Sequence, residues 1–265
     1  MASLESYTLY YNKWSICSQM VQLTLAFKGE PRDNDSSMTV EQKEIDIMKS
    51  EQLEEAFLTE INAKGQVPDL THLSKLPKPI SDSLDITHFI ASNYPSLLPE
   101  NHKNEIIEFL KELHNINYFS LSFGSKPAAA KAQITAVEKR LADTSISEQY
   151  RKALEYKLNI VQNEKVNGVT EDEIESQIEN AKAFLEKIAE FYEPANGPWL
   201  WGQRRPTALD VQVAVFIARL HDVGRSALVP DKLAHLHEHM IGTTEWQDLY
   251  QGRSTMFGVP GPGER

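Results

Sequence analysis

The chain has 265 residues, of which 41% are hydrophobic and 25% charged, a composition typical of a globular protein. Its formal net charge is −11 and no cluster of Lys and Arg offsets it locally, so we expect no binding to nucleic acid or to anionic membrane surfaces. The sequence has no export signal and lacks the run of ~20 apolar residues that a membrane span needs, so a cytoplasmic location is expected, which fits a single cysteine, Cys17.

Short strand-like and helical runs alternate along the first part of the chain. In chain order they are a strand at 8–11, a helix at 20–27, a strand at 44–47, a helix at 53–61, two strands at 65–70 and 76–80, and a helix at 84–90. This order, βαβα followed by a hairpin and a helix, is that of thioredoxin-like domains.

Beyond this region nearly every periodic segment is helical. Residues 170–173 and 207–210 have the capping-box pattern, in which a threonine oxygen accepts from a backbone amide and an acidic side chain reaches back. The predicted fold is therefore α+β: a thioredoxin-like domain with a mixed four-stranded sheet at 1–97, followed by an all-α helical bundle domain at 98–265.

Four separated segments of the chain are similar to motifs of one superfamily. They are residues 9–18 with the apolar helix behind them, the Asn-Ala-Lys-Gly-Gln-Val-Pro-Asp-Leu run at 62–70, the acidic-Ser pair at 82–83 and the capping box at 207–210. In this order they resemble the glutathione transferases of the serine and cysteine classes, with a zeta-like N-terminal motif. The resemblance implies an enzyme that uses glutathione as co-substrate, an apolar electrophile as second substrate, and a homodimer.

The resemblance also implies which residues bind glutathione. A cis Val67–Pro68 peptide would turn the backbone amide and carbonyl of Val67 outward, where they pair with the cysteinyl residue. Ser83 would bind the γ-glutamyl carboxylate at a helix N-terminus, and Asp82 the ammonium group, although Asp82 also fits a plain N-cap. Gln66 would meet the glycine end of the tripeptide.

The catalytic candidate is Ser15, which follows the first strand and begins the first helix. The positive end of the helix dipole there would favour glutathione as a thiolate, the nucleophilic form. The alternative is a serine that only caps the helix. Two rivals are Tyr11, where tyrosine-class members carry their activating phenol, and Cys17, which would form a mixed disulfide as in cysteine-class members.

Four residues are candidates for the acceptor pocket: Tyr11, Trp14, Cys17 and Tyr118. Trp14 flanks the catalytic loop, and Tyr118 falls where the family forms the wall of its second site. Aromatic side chains at such spacing also pack in ordinary cores, which is the alternative.

The chain also departs from the family pattern. Met20 and Gln22 replace arginines of zeta-like members, which argues against an acidic diketo substrate. The stretch 126–194 is longer than the common classes need, and would either lengthen the helices that wall the cleft or shape the dimer. We expect conjugation, in detoxification or secondary metabolism. The alternatives are a glutathione-dependent isomerase or lyase, and a non-catalytic ligand carrier, regulator or scaffold.

A histidine-rich run near the C-terminus contains His235, His237 and His239 with Glu238. The order of these residues is not that of a zinc protease, so no metal is expected and the histidines are predicted to lie at the surface.

Overall fold

The computed structural model describes residues 6–124, 128–167, 169–261 and 263. Two compact units divide the described residues. The sheet unit comprises those of Met1–Asn12, Thr39–Asp82 and Tyr118–Gln177, and the helical unit those of Lys13–Met38, Ser83–Asn117 and Ile178–Arg265. The predicted boundary between residues 97 and 98 divides the chain in a different way, and it stays a prediction.

The sheet unit is built around β1 (Tyr7–Tyr11), which pairs in parallel with β2 (Val40–Glu44) and antiparallel with β3 (Asp69–Thr71). Leu9 of β1 lies opposite Leu70 of β3, and both side chains are fully buried. The first strand is where the sequence predicts it, whereas β2 begins and ends earlier than the predicted 44–47.

The sheet has three strands in the described residues, not the predicted four. Residues 76–80 contribute a single bridge, in which Leu70 and Ile80 exchange backbone hydrogen bonds of 2.9 Å. Pro77 and Pro79 precede that bridge and have no N–H to donate, so the segment does not continue as a strand.

The sheet unit also contains α4 (Tyr118–Phe123), α5 (Ala128–Leu141) and α6 (Glu148–Val161), which runs into a π-helical turn at Gln162–Asn167. A second π-helical turn, Phe57–Ile61, precedes β3. Side chains of α5, α6 and the segment before β3 share one apolar cluster, formed by Leu53, Leu58, Val137, Tyr150 and Leu154. The lengthened part of the chain thus packs against the segment that leads to Pro68.

In the helical unit, α1 (Ile16–Ala26) packs against α2 (Ser83–Asn93), α8 (Ala208–Asp222) and α10 (Thr244–Tyr250). The remaining helices are α3 (Lys103–Asn115), α7 (Glu171–Glu190), part of which belongs to the sheet unit, and α9 (Asp231–Ile241). Short 3₁₀ turns occur at Glu51–Leu53, Pro95–Leu97, Glu100–His102, Pro194–Asn196, Leu200–Gly202 and Ser226–Leu228.

The central helix α8 begins with the predicted capping box. Thr207 Oγ1 accepts from the N–H of Asp210 at 3.3 Å, and Asp210 Oδ2 accepts from the N–H of Thr207 at 2.8 Å. The helix is buried from Ala208 to Leu220, as its nearly uniform hydrophobicity predicts. None of the helices in the described residues is both long enough and apolar enough to cross a membrane.

Candidate functional site

The start of α1 carries the catalytic candidate. Ser15 is the N-cap of α1, with extended backbone angles (φ −77°, ψ 118°), and its Oγ accepts from the backbone N–H of Ser18 at 3.3 Å. This cap uses a lone pair of the oxygen, so it does not compete with donation of the hydroxyl proton. The first turn has no acidic residue to offset the helix dipole. The half-buried Ser15 hydroxyl therefore lies in a setting that suits an anion.

The backbone just before this serine is held by side chains from distant parts of the helical unit. Gln19 Nε2 donates to the carbonyl of Lys13 at 2.6 Å, and Arg253 Nη1 donates to the same carbonyl at 3.0 Å. Arg219 Nη2 donates to the carbonyl of Trp14 at 2.9 Å. The loop that enters α1 is thus fixed by α1 itself, by α8 and by the segment after α10.

Arg219 makes several of the bonds that build this support. Its Nε donates to Thr255 Oγ1 at 2.9 Å and its Nη2 to the Thr255 carbonyl at 2.6 Å. Asp222 accepts from the backbone N–H and the hydroxyl of Thr255. Burial lowers the pKa of Arg219 to about 10, partly opposed by Tyr250 and Asp222, so the guanidinium is charged at neutral pH. The sequence analysis missed Arg219, whose one visible signal is that it interrupts the apolar run of α8.

Two acceptor-pocket candidates flank Ser15 in the helical unit. Trp14 is half-buried, its ring packs edge-on against Phe257 at 5.6 Å, and the Arg253 guanidinium lies 5.4 Å from the ring centroid. Cys17 is half-buried in the first turn of α1. Their proposed contact with an acceptor stays a prediction.

The other two candidates, Tyr11 and Tyr118, belong to the sheet unit and are also half-buried. Tyr11 ends β1, and its carbonyl accepts from the N–H of Ile45 at 2.7 Å. Tyr118 is the first residue of α4. It stays a prediction that Tyr11 activates the thiol, and that Tyr11 and Tyr118 line the acceptor pocket.

The loop before β3 contains the predicted glutathione-binding proline. The Val67–Pro68 peptide bond is cis, as the family resemblance implies. Asn62 ties the loop together, because its Nδ2 donates to the carbonyl of Gln66 at 3.1 Å and its Oδ1 accepts from the N–H of Lys64 at 2.8 Å. Asn62 therefore fixes the turn that leads to the proline, a role that no sequence pattern indicated.

Asp69 directly follows that proline and is fully buried. Burial raises the pKa of its carboxyl to about 7, although hydrogen bonds with Ser81 and Asn62 act in the opposite direction. Its Oδ1 has no hydrogen-bond partner among the described residues. A carboxyl that changes charge near neutral pH thus stands beside Pro68, and the sequence analysis assigned it no role.

Gln66 is half-buried, and its Nε2 donates to Oε2 of Glu164 at 3.2 Å. Glu164 lies in the π-helical turn after α6. A side-chain amide has two N–H groups, so the second N–H is the donor that the predicted contact with the glycine end of glutathione requires.

Asp82 and Ser83 stand at the start of α2, as predicted. Asp82 is exposed and precedes the helix, and the buried Ser83 is its first residue. Ser83 Oγ lies 3.3 Å from Nδ1 of His114, and the other ring nitrogen, Nε2, lies 2.7 Å from Oε1 of Gln212. Ser83 thus belongs to a polar network that reaches from α2 through α3 to α8.

The partners of Gln212 determine which nitrogen of His114 carries a proton. Thr87 donates its hydroxyl to the carbonyl of Ser83 at 2.7 Å, so its oxygen accepts from Gln212 Nε2 at 2.7 Å. Gln212 Oε1 therefore faces His114, whose Nε2 must be the donor. In the neutral ring Nδ1 is then an acceptor for the Ser83 hydroxyl. A ligand carboxylate would compete with His114 for that single proton.

One of the three C-terminal histidines differs from its prediction. His237 is half-buried, with its ring 5.0 Å from that of His221 and 6.0 Å from that of Trp246. Burial, and next the neighbouring His221, lower the pKa of His237 to about 4. His235 and His239 are exposed, as predicted. The described residues include no cluster of three or more His, Cys, Asp or Glu side chains able to hold a metal ion.

No family model and no curated protein sequence matches the chain. Solved structures of glutathione transferases do match it over almost its whole length. The β-etherase LigF from Sphingobium sp. strain SYK-6 has a TM-score of 0.66 at 17% identity, over 93% of this chain and 99% of that one.

Two further structures agree with this match. Gtt2 from Saccharomyces cerevisiae has a TM-score of 0.57 at 16% identity, over 91% of this chain and 99% of that one. A glutathione transferase homologue from Sulfitobacter, solved with bound glutathione, has a TM-score of 0.53 at 14% identity, over 93% and 98%. The chain therefore has the α+β fold of the glutathione transferases.

Proposed function

We propose that this protein is a glutathione transferase in which the Ser15 hydroxyl stabilises the glutathione thiolate for attack on an electrophilic, largely apolar small molecule. The observation that carries the proposal is the half-buried Ser15 at the N-terminus of α1, in a first turn without acidic residues, in a chain with the glutathione transferase fold. A hydroxyl donor and a positive helix end both favour the thiolate over the thiol.

The protein's part in this chemistry is binding and adjustment of the thiol pKa. The thiol proton goes to solvent, and the sulfur electron pair forms a bond to an electrophilic carbon. A leaving group departs with its own electron pair, or an electron-poor double bond accepts the addition. The sequence signal for this role is the position of Ser15, and the support from structure is its cap geometry.

We assign five residues to the tripeptide: Gln66, Val67, Pro68, Asp82 and Ser83. The cis peptide at Val67–Pro68 supports this assignment, as does the start of α2 directly after Asp82. The Sulfitobacter homologue, which shares the fold, was solved with glutathione bound. We further propose that the chain forms a homodimer and acts in the cytoplasm, which sedimentation analysis and cell fractionation would test.

Steady-state kinetics with glutathione and chlorodinitrobenzene test the role of Ser15. In Ser15→Ala we expect kcat/KM to fall about 100-fold, the size seen when one donor to a developing anion is removed. The pKa of bound glutathione, followed by thiolate absorbance, should rise toward that of the free thiol.

Ser18→Ala is the matched control, because it removes a hydroxyl from the same turn without removing the cap. Tyr11→Phe and Cys17→Ala test the two rivals. Unchanged turnover and unchanged thiol pKa in Ser15→Ala would end the proposed role, and a large loss in Tyr11→Phe or Cys17→Ala instead would transfer it.

A second candidate function is a glutathione-dependent lyase or isomerase, in which the thiolate adds to the substrate and later leaves. The match to a structure named as a β-etherase favours including it. Product analysis with aryl ether substrates separates conjugation from the lyase reaction: in both the thiolate displaces a phenol, but conjugation stops at the stable thioether, whereas a lyase then eliminates the thiolate to leave an alkene and returns glutathione unchanged.

A further inference from the structure

The lengthened helices α5 and α6 are tied to the segment that precedes the cis-proline loop. The Tyr150 hydroxyl donates to the carbonyl of Leu53 at 2.5 Å. Arg140 Nη2 donates to the carbonyl of Ser50 at 3.2 Å and to a carboxylate oxygen of Glu54 at 3.1 Å. Together with the shared apolar cluster, these bonds make α5 and α6 a support for residues 50–66 within the sheet unit.

The bonds nearest the loop come from Lys157 of α6. Its side chain is 1% exposed, and Nζ donates to the carbonyl of Lys64 at 2.6 Å and to that of Gly65 at 3.0 Å. Gly65 has a positive φ of 55°, and a Cβ there would lie 3.4 Å from Lys157 Cδ. The aliphatic stem and the ammonium of Lys157 therefore both fit closely against one face of the loop.

A buried lysine at this position is costly for the folded chain. Burial, with the ammonium of Lys165 adding repulsion and Glu164 opposing it, lowers the pKa of Lys157 to about 7. An apolar side chain of similar length would fill the same space without this desolvation. Such a side chain would leave the carbonyls of Lys64 and Gly65 without the bonds that Lys157 makes, so the role of the lysine lies in these two bonds.

We propose that Lys157 is a positioning residue for glutathione: by holding the carbonyls of Lys64 and Gly65, it fixes the backbone of Gln66 and Val67. The inference rests on the proposed function, in which Gln66 and Val67 contact the tripeptide. Lys157 itself touches no substrate and acts only through the loop. It also gives the lengthened helices a role, which is to carry this support.

The physical reason is preorganisation. Val67 and Gln66 bind through backbone and side-chain hydrogen bonds whose directions depend on the loop conformation. Without Lys157, glutathione would have to order the loop as it binds, and its affinity would fall by that cost. Once glutathione is bound the chemistry at its sulfur is unchanged, so kcat is expected to stay close to that of the wild type.

Calorimetric titration with S-methylglutathione tests the inference, because this probe has no thiol to titrate. In Lys157→Met we expect Kd to rise about tenfold, equivalent to ~1.4 kcal/mol, while kcat at saturating glutathione stays within about twofold. Amide hydrogen exchange at residues 64–67 should become faster. Val161→Ala is the matched control, since it truncates a fully buried side chain of α6 one turn away that lies outside the shared apolar cluster.

A pH series adds a signature that a merely structural residue would not give. Loss of the Lys157 proton leaves an amine that still has two N–H groups but weaker bonds, so Kd for S-methylglutathione should rise as the pH passes about 7. Lys157→Met should lack this step. Asp69 also titrates near there, but it is present in both proteins, so the difference between the two profiles reports Lys157.

The outcomes separate the inference from the function on which it rests. If the wild type does not bind S-methylglutathione, the proposed function fails and the inference falls with it. If the wild type binds and Lys157→Met binds equally well, or Val161→Ala loses as much affinity, only the inference fails. If Lys157→Met does not fold, Lys157→Gln is measured instead: its neutral amide can still donate to a carbonyl, so a smaller loss of affinity without the pH step is expected, and wild-type affinity with the pH step retained would contradict the inference.

Discussion

Each unit of the molecule contains a buried cation that holds the backbone of a loop. In the sheet unit, Lys157 bonds to two carbonyls just before the cis Val67–Pro68 peptide. In the helical unit, Arg219 bonds to the carbonyl of Trp14 just before Ser15. The loop proposed to bind the tripeptide and the loop proposed to activate its sulfur are thus each held by a buried side-chain cation that bonds to backbone carbonyls.

The two buried cations differ in the pKa of the charged group. Burial leaves Arg219 with a pKa of about 10, but lowers that of Lys157 to about 7. Each cation bonds to two residues, but the guanidinium does so with a planar set of donors, whereas the ammonium is a point charge. The comparison teaches that the support of the loop before Ser15 should not change around neutral pH, whereas the support of the loop before Pro68 should change.

The largest expected effect on stability follows from removing the Arg219 guanidinium. In Arg219→Met the carbonyls of Trp14 and Thr255 lose their donor, and Asp222 loses a nearby positive charge. We expect the free energy of unfolding to fall by about 3–5 kcal/mol, as for a broken buried charge network. Urea denaturation measures it.

Arg219→Lys is the control, because it keeps the charge but not the planar fork. It should lose less stability than the Met variant. Equal losses of stability in the two variants would mean that the charge of Arg219 does not contribute to this support. No loss in either variant would show that Arg219 does not hold the loop before Ser15.

A smaller effect is expected in how the stability of the protein depends on pH, where Lys157 and Arg219 should differ. The pKa of Lys157 in the folded chain, about 7, lies below its ordinary value of 10.5, so between these values the unfolded chain binds a proton that the folded chain does not. Stability relative to Lys157→Met should therefore rise with pH above about 7, by at most ~1.4 kcal/mol per pH unit.

Urea denaturation of both proteins at about pH 6, 7 and 8 measures this difference. The corresponding difference for Arg219→Met should stay constant, since its pKa of about 10 lies above that range. The predicted contrast would be contradicted if the stability difference for Lys157→Met did not change with pH, or if the difference for Arg219→Met did.

Local signals in the sequence predicted the features that depend on neighbouring residues. The capping box at Thr207 and the helix start at Ser15 follow from short motifs, the cis bond before Pro68 follows from the family resemblance, and the structure confirms all three. The order of elements likewise predicted the fold. The prediction of a fourth strand at 76–80 was wrong because Pro77 and Pro79 have no N–H to donate to a β-ladder.

Contacts between residues far apart in the chain could not be predicted in this way. Lys157 bonds to residues more than ninety positions earlier, and Arg219 to residues on both sides of it. A signal for Lys157 does exist: it falls at helical spacing between Leu154 and Val161, two core residues of α6. A charged residue at a core position indicates a buried role but not its partner.

Calorimetric titration of glutathione into the wild type and into Asp82→Ala tests the central claim most directly. We predict saturable binding of one glutathione per chain to the wild type, and an affinity at least about tenfold lower when the carboxylate at the start of α2 is removed, as expected for loss of a charged hydrogen bond. Absence of binding to the wild type, or equal binding by both proteins, would contradict the account.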